Sequence, residues 1–136
     1  MAKILVVEDN VLNMKHVLML LEHAGHTTLS AGDAEAGLTL ARTGKPDLIL
    51  MDIQLPGMDG LAATALLKAD PATAAIPVII LTATLTREDE DKAKAAGGDA
   101  YFVKPYSRRE LDMTIADLLQ ASIESLLLKA APPTPG

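Results

Sequence analysis

Residues 46–60 read PDLILMDIQLPGMDG, Pro46 to Gly60. Leu48, Ile49, Leu50 and Met51 form an unbroken apolar run with no polar alternation. Such a run reads as a strand buried on both faces, the kind found in parallel sheets with helices packed on each side. The run stops at Asp52. In open α/β sheets, ligands bind outside the carboxyl ends of the strands, so this carboxylate sits where a site is expected.

The same punctuation occurs twice more. Ile4-Leu5-Val6-Val7 is followed by Glu8-Asp9, and Tyr101-Phe102-Val103 by Lys104. Charges placed this way share one rim. Three crowded carboxylates repel one another unless a hard divalent cation sits among them, and an oxygen-only set without His or Cys suits Mg²⁺. A lysine on the same rim offers a point charge to an anion. A metal, a carboxylate nucleophile and a lysine together point to phosphoryl transfer onto Asp52.

Outward from these runs, strand-like and helix-like segments alternate five times, the pattern of a doubly wound α/β fold with a five-stranded parallel sheet. The strands are expected at 3–8, 27–31, 47–52, 77–82 and 99–104. The first helix, 11–24, follows Asn10 as N-cap, turns Met14, Val17, Leu18 and Leu21 to one face and stops at Gly25. A second, 34–43, lies between Asp33 and Gly44, with Ala34, Gly37, Leu38 and Ala41 inward; a third spans about 61–68. The fourth helix starts with acids, Glu88 to Asp91, ends at Gly97-Gly98 and has little beyond Ala93 and Ala96 to bury. It should be well capped and poorly anchored. The fifth opens on a Ser107/Glu110 capping box and continues through Leu111, Ile115, Leu118 and Leu119. Its apolar spacing then runs on through Ile123, Leu126 and Leu127, past what five βα units need, before Pro132 to Gly136 form a frayed tail.

At 136 residues the chain fits one domain, large enough to bury roughly 68–70% of the surface its unfolded chain exposes. There are no cysteines, which excludes disulfides, thiolate zinc sites and cysteine nucleophiles and suits a reducing, cytoplasmic compartment. No run is long or apolar enough for a signal h-region or a membrane span. A net charge of −6 without a basic stripe argues against nucleic acid or anionic membrane as a direct partner.

The segments Ile4–Val17, Pro46–Gly60, Val78–Ala83 and Ala96–Pro105 together resemble the receiver domain of two-component response regulators, in its free-standing, CheY-like form. The resemblance rests on an acidic pair, a central Asp, a Thr-Ala and a Lys-Pro, each after its own strand, and spans residues 1 to about 120. It implies a flavodoxin-like three-layer (βα)5 sandwich with strand order 2-1-3-4-5, a receiver unit over 1–121, and a helix extension with Pro-rich tail over 122–136. It further implies that Asp52 takes a phosphoryl group from a phosphohistidine of a sensor kinase or phosphotransfer protein. Glu8, Asp9, Asp52 and the backbone carbonyl of Gln54 would hold Mg²⁺, with Mn²⁺ as a substitute. Thr82 and Lys104 would hold phosphoryl oxygens, Thr82 and Tyr101 would report the state, and the Lys104–Pro105 bond would be cis. The output would be altered binding of a protein partner through the fourth helix, fifth strand and fifth helix, not turnover of a substrate.

Members that dimerise through that face carry an arginine where this chain has Thr114, which speaks against that mode; a monomer is expected, with at most weak self-association. His16, His23 and His26 read as surface or packing residues. A haloacid-dehalogenase-like phosphohydrolase also uses an Asp nucleophile with Mg²⁺, but its second acid falls on Gln54 and there is no cap domain. Flavodoxin-like cofactor binding needs a phosphate-cradling loop where Glu8-Asp9-Asn10 would repel phosphate.

Overall fold

The computed structural model describes residues 2–83 and 86–130, apart from the side chains of 129 and 130. The elements follow in the order β1 (Lys3–Val7), α1 (Val11–His23), β2 (Thr27–Ala31), α2 (Ala34–Thr43), β3 (Leu48–Asp52), α3 (Gly60–Ala69), β4 (Val78–Thr82), α4 (Arg87–Ala96), β5 (Ala100–Val103) and α5 (Arg108–Ala130). All pairings are parallel and the strand order is 2-1-3-4-5.

The apolar runs split between the two faces of the sheet by simple alternation. Ile4, Val6, Leu48, Leu50, Ile79 and Leu81 point to one side, where Val17 and Leu21 of α1 and Leu111 and Ile115 of α5 cover them. Leu5, Val7, Ile49, Met51, Val78 and Ile80 point to the other, under Ala34 and Ala41 of α2 and Ala63 and Leu67 of α3. The helix faces read from periodicity are therefore the packed ones, with Met14, Leu18, Leu118 and Leu119 at the margin of the first cluster.

Several ends fall a residue inside the expected limits. Glu8, Asp47, Pro77, Asp99 and Lys104 all lie just beyond their strands. The backbone ladder nevertheless reaches two rim residues: the Glu8 amide donates to Ala31 O (3.0 Å) and the Lys104 amide to Thr82 O (2.8 Å). The backbone that carries both rim side chains is thus held by sheet hydrogen bonds.

The helix starts follow local polar chemistry. Asn10, Asp33, Asp59 and Thr86 each accept a hydrogen bond from the amide three residues on, and Ser107 Oγ accepts from the Glu110 amide (2.9 Å). Asp59 is the cap that moves the start of α3 forward to Gly60. On α4 only Ala93 is buried, with Ala96 partly so, and Gly97 ends the helix in the left-handed region at φ 97°. α5 keeps its helical path to Ala130 while Ile123, Leu126 and Leu127 stand exposed. The Pro-rich tail lies outside the described residues.

Gly60 fixes how α3 meets the rim. A Cβ built there would lie 1.9 Å from the carbonyl oxygen of Asp52, while the Gly60 amide donates to Ile53 O at 2.9 Å. Backbone cannot yield as a flexible side chain can, so even one methyl must push α3 off the end of β3. Gly60→Ala is expected to destabilise the fold by at least about 1–3 kcal/mol in chemical denaturation, whereas Gly32→Ala, with nothing within 4 Å of its added Cβ, should be close to neutral.

Candidate functional site

Three strands deliver the charged rim. β1 ends before Glu8 and Asp9, β3 ends on Asp52, and β5 ends before Lys104. Because β1 and β3 are paired neighbours and β3 pairs with β4, which pairs with β5, these strand ends converge although Glu8 and Lys104 lie 96 residues apart.

Glu8 is 3% exposed and Asp52 5%. Lys104 Nζ donates to both, 2.9 Å from Glu8 Oε1 and 3.1 Å from Asp52 Oδ2. The Gln54 amide donates to the second Asp52 oxygen, Oδ1, at 3.2 Å. Ligand oxygens of Glu8, Asp9 and Asp52 lie within 4.8 Å of one another, with Asp9 on the exposed side. One buried oxygen in the group, Glu8 Oε2, has no hydrogen-bond partner. A buried carboxylate oxygen without a donor is costly unless a cation meets it. The all-oxygen donor set, partly buried and open on the Asp9 side, fits a hard divalent ion such as Mg²⁺.

The two buried carboxyls respond oppositely to their shared setting. Burial, reinforced by the hydrogen bond with Glu8, pushes Asp52 up to about 6, against the pull of Lys104. Burial also acts to raise Glu8, but hydrogen bonds with Asp52 and with Lys104 outweigh it and hold Glu8 well below the usual carboxylate range. Burial would lower Lys104, yet its bonds to Glu8 and Asp52 prevail and keep the ammonium charged. The trio thus titrates as a unit, with Asp52 the carboxyl that most readily carries a proton when no cation is present.

Thr82 closes β4 beside Asp52, whose register partner is Leu81, and is 5% exposed. Tyr101, on β5, packs its ring against the second core cluster and donates its hydroxyl to Glu90 Oε1 of α4. Glu90 also lies 3.4 Å from Lys94 Nζ. The sequence reading singled out Tyr101 but not its partner Glu90. The signal was faint: one acid within an acidic first turn of α4, with nothing in its spacing to mark it.

The Lys104–Pro105 bond is cis. Beside it, Asn13, His16 and Val17 of α1 and Lys104, Pro105 and Tyr106 line a groove of about 390 Å³. The Tyr106 ring stacks obliquely on Phe102, centroids 5.9 Å apart, and burial raises its hydroxyl pKa. Neither Tyr106 nor the groove was apparent from the sequence. His16 is exposed at the groove's edge and His26 Nδ1 accepts from the Ala2 amide (3.4 Å), so the expected surface and packing roles hold for these two.

Residues 4–116 match the model of the response regulator receiver domain. The chain belongs to that family. A polar-differentiation response regulator DivK from Brucella anthropi is 43% identical over 116 residues, which cover 85% of this chain and 94% of DivK. Protein PilH from Pseudomonas aeruginosa is 41% identical over 119 residues, 88% of this chain and 98% of PilH. Among solved structures, the receiver domain of sensor histidine kinase PA1611 from Pseudomonas aeruginosa, with magnesium coordinated in its active-site cleft, superposes with TM-score 0.82 at 31% identity, covering 88% of this chain and 98% of that one. Vibrio cholerae chemotaxis protein CheY4 gives TM-score 0.82 at 27% identity, covering 87% and 98%. The receiver identity accounts for the fold and strand order and for an acidic cluster compatible with Mg²⁺. No helix among the described residues is long and apolar enough to cross a membrane.

The site of this receiver costs it stability when no cation is bound. Asp52 ionises at 3.8 when unperturbed and at about 6 in the fold, so its protonated form favours folding below pH 3.8 and that contribution is lost as pH rises through about 6. Glu8 acts in the reverse sense: its stabilisation is present above 4.5 and lost as pH falls through its lowered value. Asp52→Asn should therefore be about 1–3 kcal/mol more stable than wild type in chelator at pH ~7.5, and the gap should narrow as pH falls through about 6 and close near 3.8. Thermal unfolding across pH reads both, and equal melting at pH ~7.5 would mean that Asp52 carries no burial penalty.

Proposed function

We propose that this receiver takes a phosphoryl group onto Asp52 from a phosphohistidine of a sensor kinase or histidine phosphotransfer protein, and that the modified state changes its binding to a downstream protein. The observation that carries the reading is the buried Glu8–Lys104–Asp52 bridge with its unpartnered Glu8 oxygen. It is a site built for a cation and an incoming anion, not a surface ion pair.

Each residue has a part that follows from its position. Asp52 supplies the attacking carboxylate oxygen, the phosphorus–nitrogen bond to the donor's imidazole breaks as the new phosphorus–oxygen bond forms, and the freed imidazole nitrogen takes up a proton. Glu8, Asp9, Asp52 and the Gln54 carbonyl would hold Mg²⁺, which when bound neutralises charge on the transferring oxygens. Lys104 moves from bridging two carboxylates to pairing with a phosphoryl oxygen, and its raised pKa keeps it charged for that task. The Gln54 amide steadies Asp52. Asp52 must be ionised to attack, so its raised pKa makes a cation partner all the more useful at neutral pH.

Thr82 lies next to the modified residue and Tyr101 three residues before Lys104 on the adjoining strand. A phosphoryl group that draws the Thr82 hydroxyl inward vacates space toward which Tyr101 can turn, at the cost of its bond to Glu90. α4 can follow at little cost because Ala93 is its one buried residue. The α4, β5 and α5 face is then the output surface, in a signalling protein that acts by binding in the cytoplasm.

Incubation with acetyl phosphate and Mg²⁺ should add one phosphoryl group by intact mass, and none to Asp52→Asn; undiminished incorporation in that variant would move the site elsewhere. Asp9→Ala should weaken Mg²⁺ binding in calorimetry, since a hard-cation site loses affinity with each ligand charge removed. Amide shift and hydrogen-exchange changes on phosphorylation should concentrate, beyond the site itself, between α4 and the start of α5. Clustering in α2 instead would place the partner surface at the opposite edge of the sheet, beside β2.

A further inference from the structure

The packed stripe of α5 does not stop where the body of the protein stops. Leu111 and Ile115 are buried against the sheet and Leu118 and Leu119 are at its margin. One to three turns further, Ile123, Leu126, Leu127 and Leu128 are 52%, 65%, 65% and 79% exposed. The helix therefore overhangs the amino-terminal end of the sheet with its apolar side chains largely uncovered. These residues lie past the family match, which ends at residue 116. They are an addition to the receiver, and the phosphorylation site makes no use of them.

We infer that this overhang is a self-association surface, on which two copies pair through their α5 extensions as a weak two-fold dimer. The first ground is charge. From Leu118 to Leu128 the only charged residue is Glu124, and the acids that line the hollows beside the helix are already engaged within the chain, Asp47 by the Lys3 amide and Asp99 by Lys68 Nζ and the Val78 amide. The whole chain carries a net −6, so a helix segment with a single acid is a place where two copies meet with little repulsion.

The second ground is shape. A groove of about 360 Å³ runs on one side of the overhang, between Leu118 and Pro77, and another of about 320 Å³ on the other, between Ile123 and Ala2. Leu126 lines both. Uncovered leucines and the hollows beside them thus occur on the same element. A two-fold interface requires that pairing, because each copy must offer what the other receives.

The third ground is area, and it sets the strength. Four such side chains bring roughly 100 Å² of apolar area each, hence about 800 Å² over two copies, short of the ~1,200 Å² at which specific interfaces become stable. The dimer is therefore weak, forming at tens of micromolar and above. A partner groove filled by the ends of both helices adds to this, but no large rigid interface is built here.

Sedimentation velocity on the full chain from ~5 µM to ~1 mM should show a mass rising from monomer towards dimer. Higher salt should leave the association unchanged or strengthen it, because screening relieves repulsion between two acidic bodies without weakening apolar contact. Leu126→Glu with Leu127→Glu should keep the chain monomeric throughout, by at least a ~10-fold loss of affinity, with melting temperature and acetyl phosphate incorporation as in wild type. Leu12→Glu, an equally exposed apolar position on α1 (75%), should leave the dimer intact. A wild type that stays monomeric to ~1 mM would show that the overhang is covered some other way, by the chain's own last residues or by a different protein, and overturns the inference. A dimer that survives the double substitution, or that dissolves with salt, overturns it too.

Discussion

Lys104 is the residue on which the rest of the rim depends. Its ammonium is the single cation between two nearly buried carboxylates, at 2.9 Å from Glu8 and 3.1 Å from Asp52. Without it, burial would leave two like charges facing each other in a region of reduced dielectric, a far costlier state than the same pair in water. The bridge also ties together the ends of β1, β3 and β5, three strands that local sequence could not hold in register at their tips. The bond is still incomplete compensation. Two carboxylates and one ammonium leave a net negative charge and one oxygen of Glu8 without a donor. That deficit suits the site to the ligands proposed for it: a cation would complete it, and a phosphoryl group would give Lys104 a more highly charged partner than either carboxylate.

The strain at the rim is affordable because the sheet beneath it is so thoroughly buried. Every residue of β3 and of β4 is buried, and two apolar layers cover the sheet from both sides. Stability on the order of several kcal/mol can be supplied by a handful of such side chains, so an unfavourable cluster at one edge does not threaten the fold. The contrast with α4 follows the same logic. Its ten residues, Arg87–Ala96, bury one alanine, and its tie to the sheet edge includes a polar bond from Tyr101 to Glu90 that water can replace at small net cost. Rigidity sits under the chemistry, and looseness beside it.

Much of this was legible because the sequence repeats one grammar. Unbroken Val/Ile/Leu runs ending in a charge give both the strand and the rim position, and Asn10, Asp33 and Ser107 announce helix starts by a chemistry that operates within three residues. What was hidden involves relations across the chain. Nothing local shows that Gly60 must press against the Asp52 carbonyl, that Lys104 bonds Glu8 as well as Asp52, or that Tyr101 meets Glu90. The strand order was available only through the resemblance to receivers, since five similar βα units contain no local instruction about which strands lie side by side. Gln54 was read for its carbonyl, yet its amide is what bonds Asp52, a consequence of the sharp turn out of β3.

The two ends of the sheet have separate physics. Phosphoryl chemistry needs the carboxyl ends, where charges can converge on one point. The overhang of α5 lies at the other end, near Ala2 and Pro77, because a helix that follows the last strand must run back along the sheet and, if longer than the strands, emerge past their beginnings. A pairing surface placed there leaves the Glu8–Lys104–Asp52 rim and the groove beside Pro105 open to a phosphodonor in either state of association. The two ends are nevertheless joined by one rigid element, since α5 starts four residues after Lys104 and is packed through Leu111 and Ile115. A shift of its first turn would be carried to its last, so any change at the rim that moves α5 alters the geometry of the overhang as well.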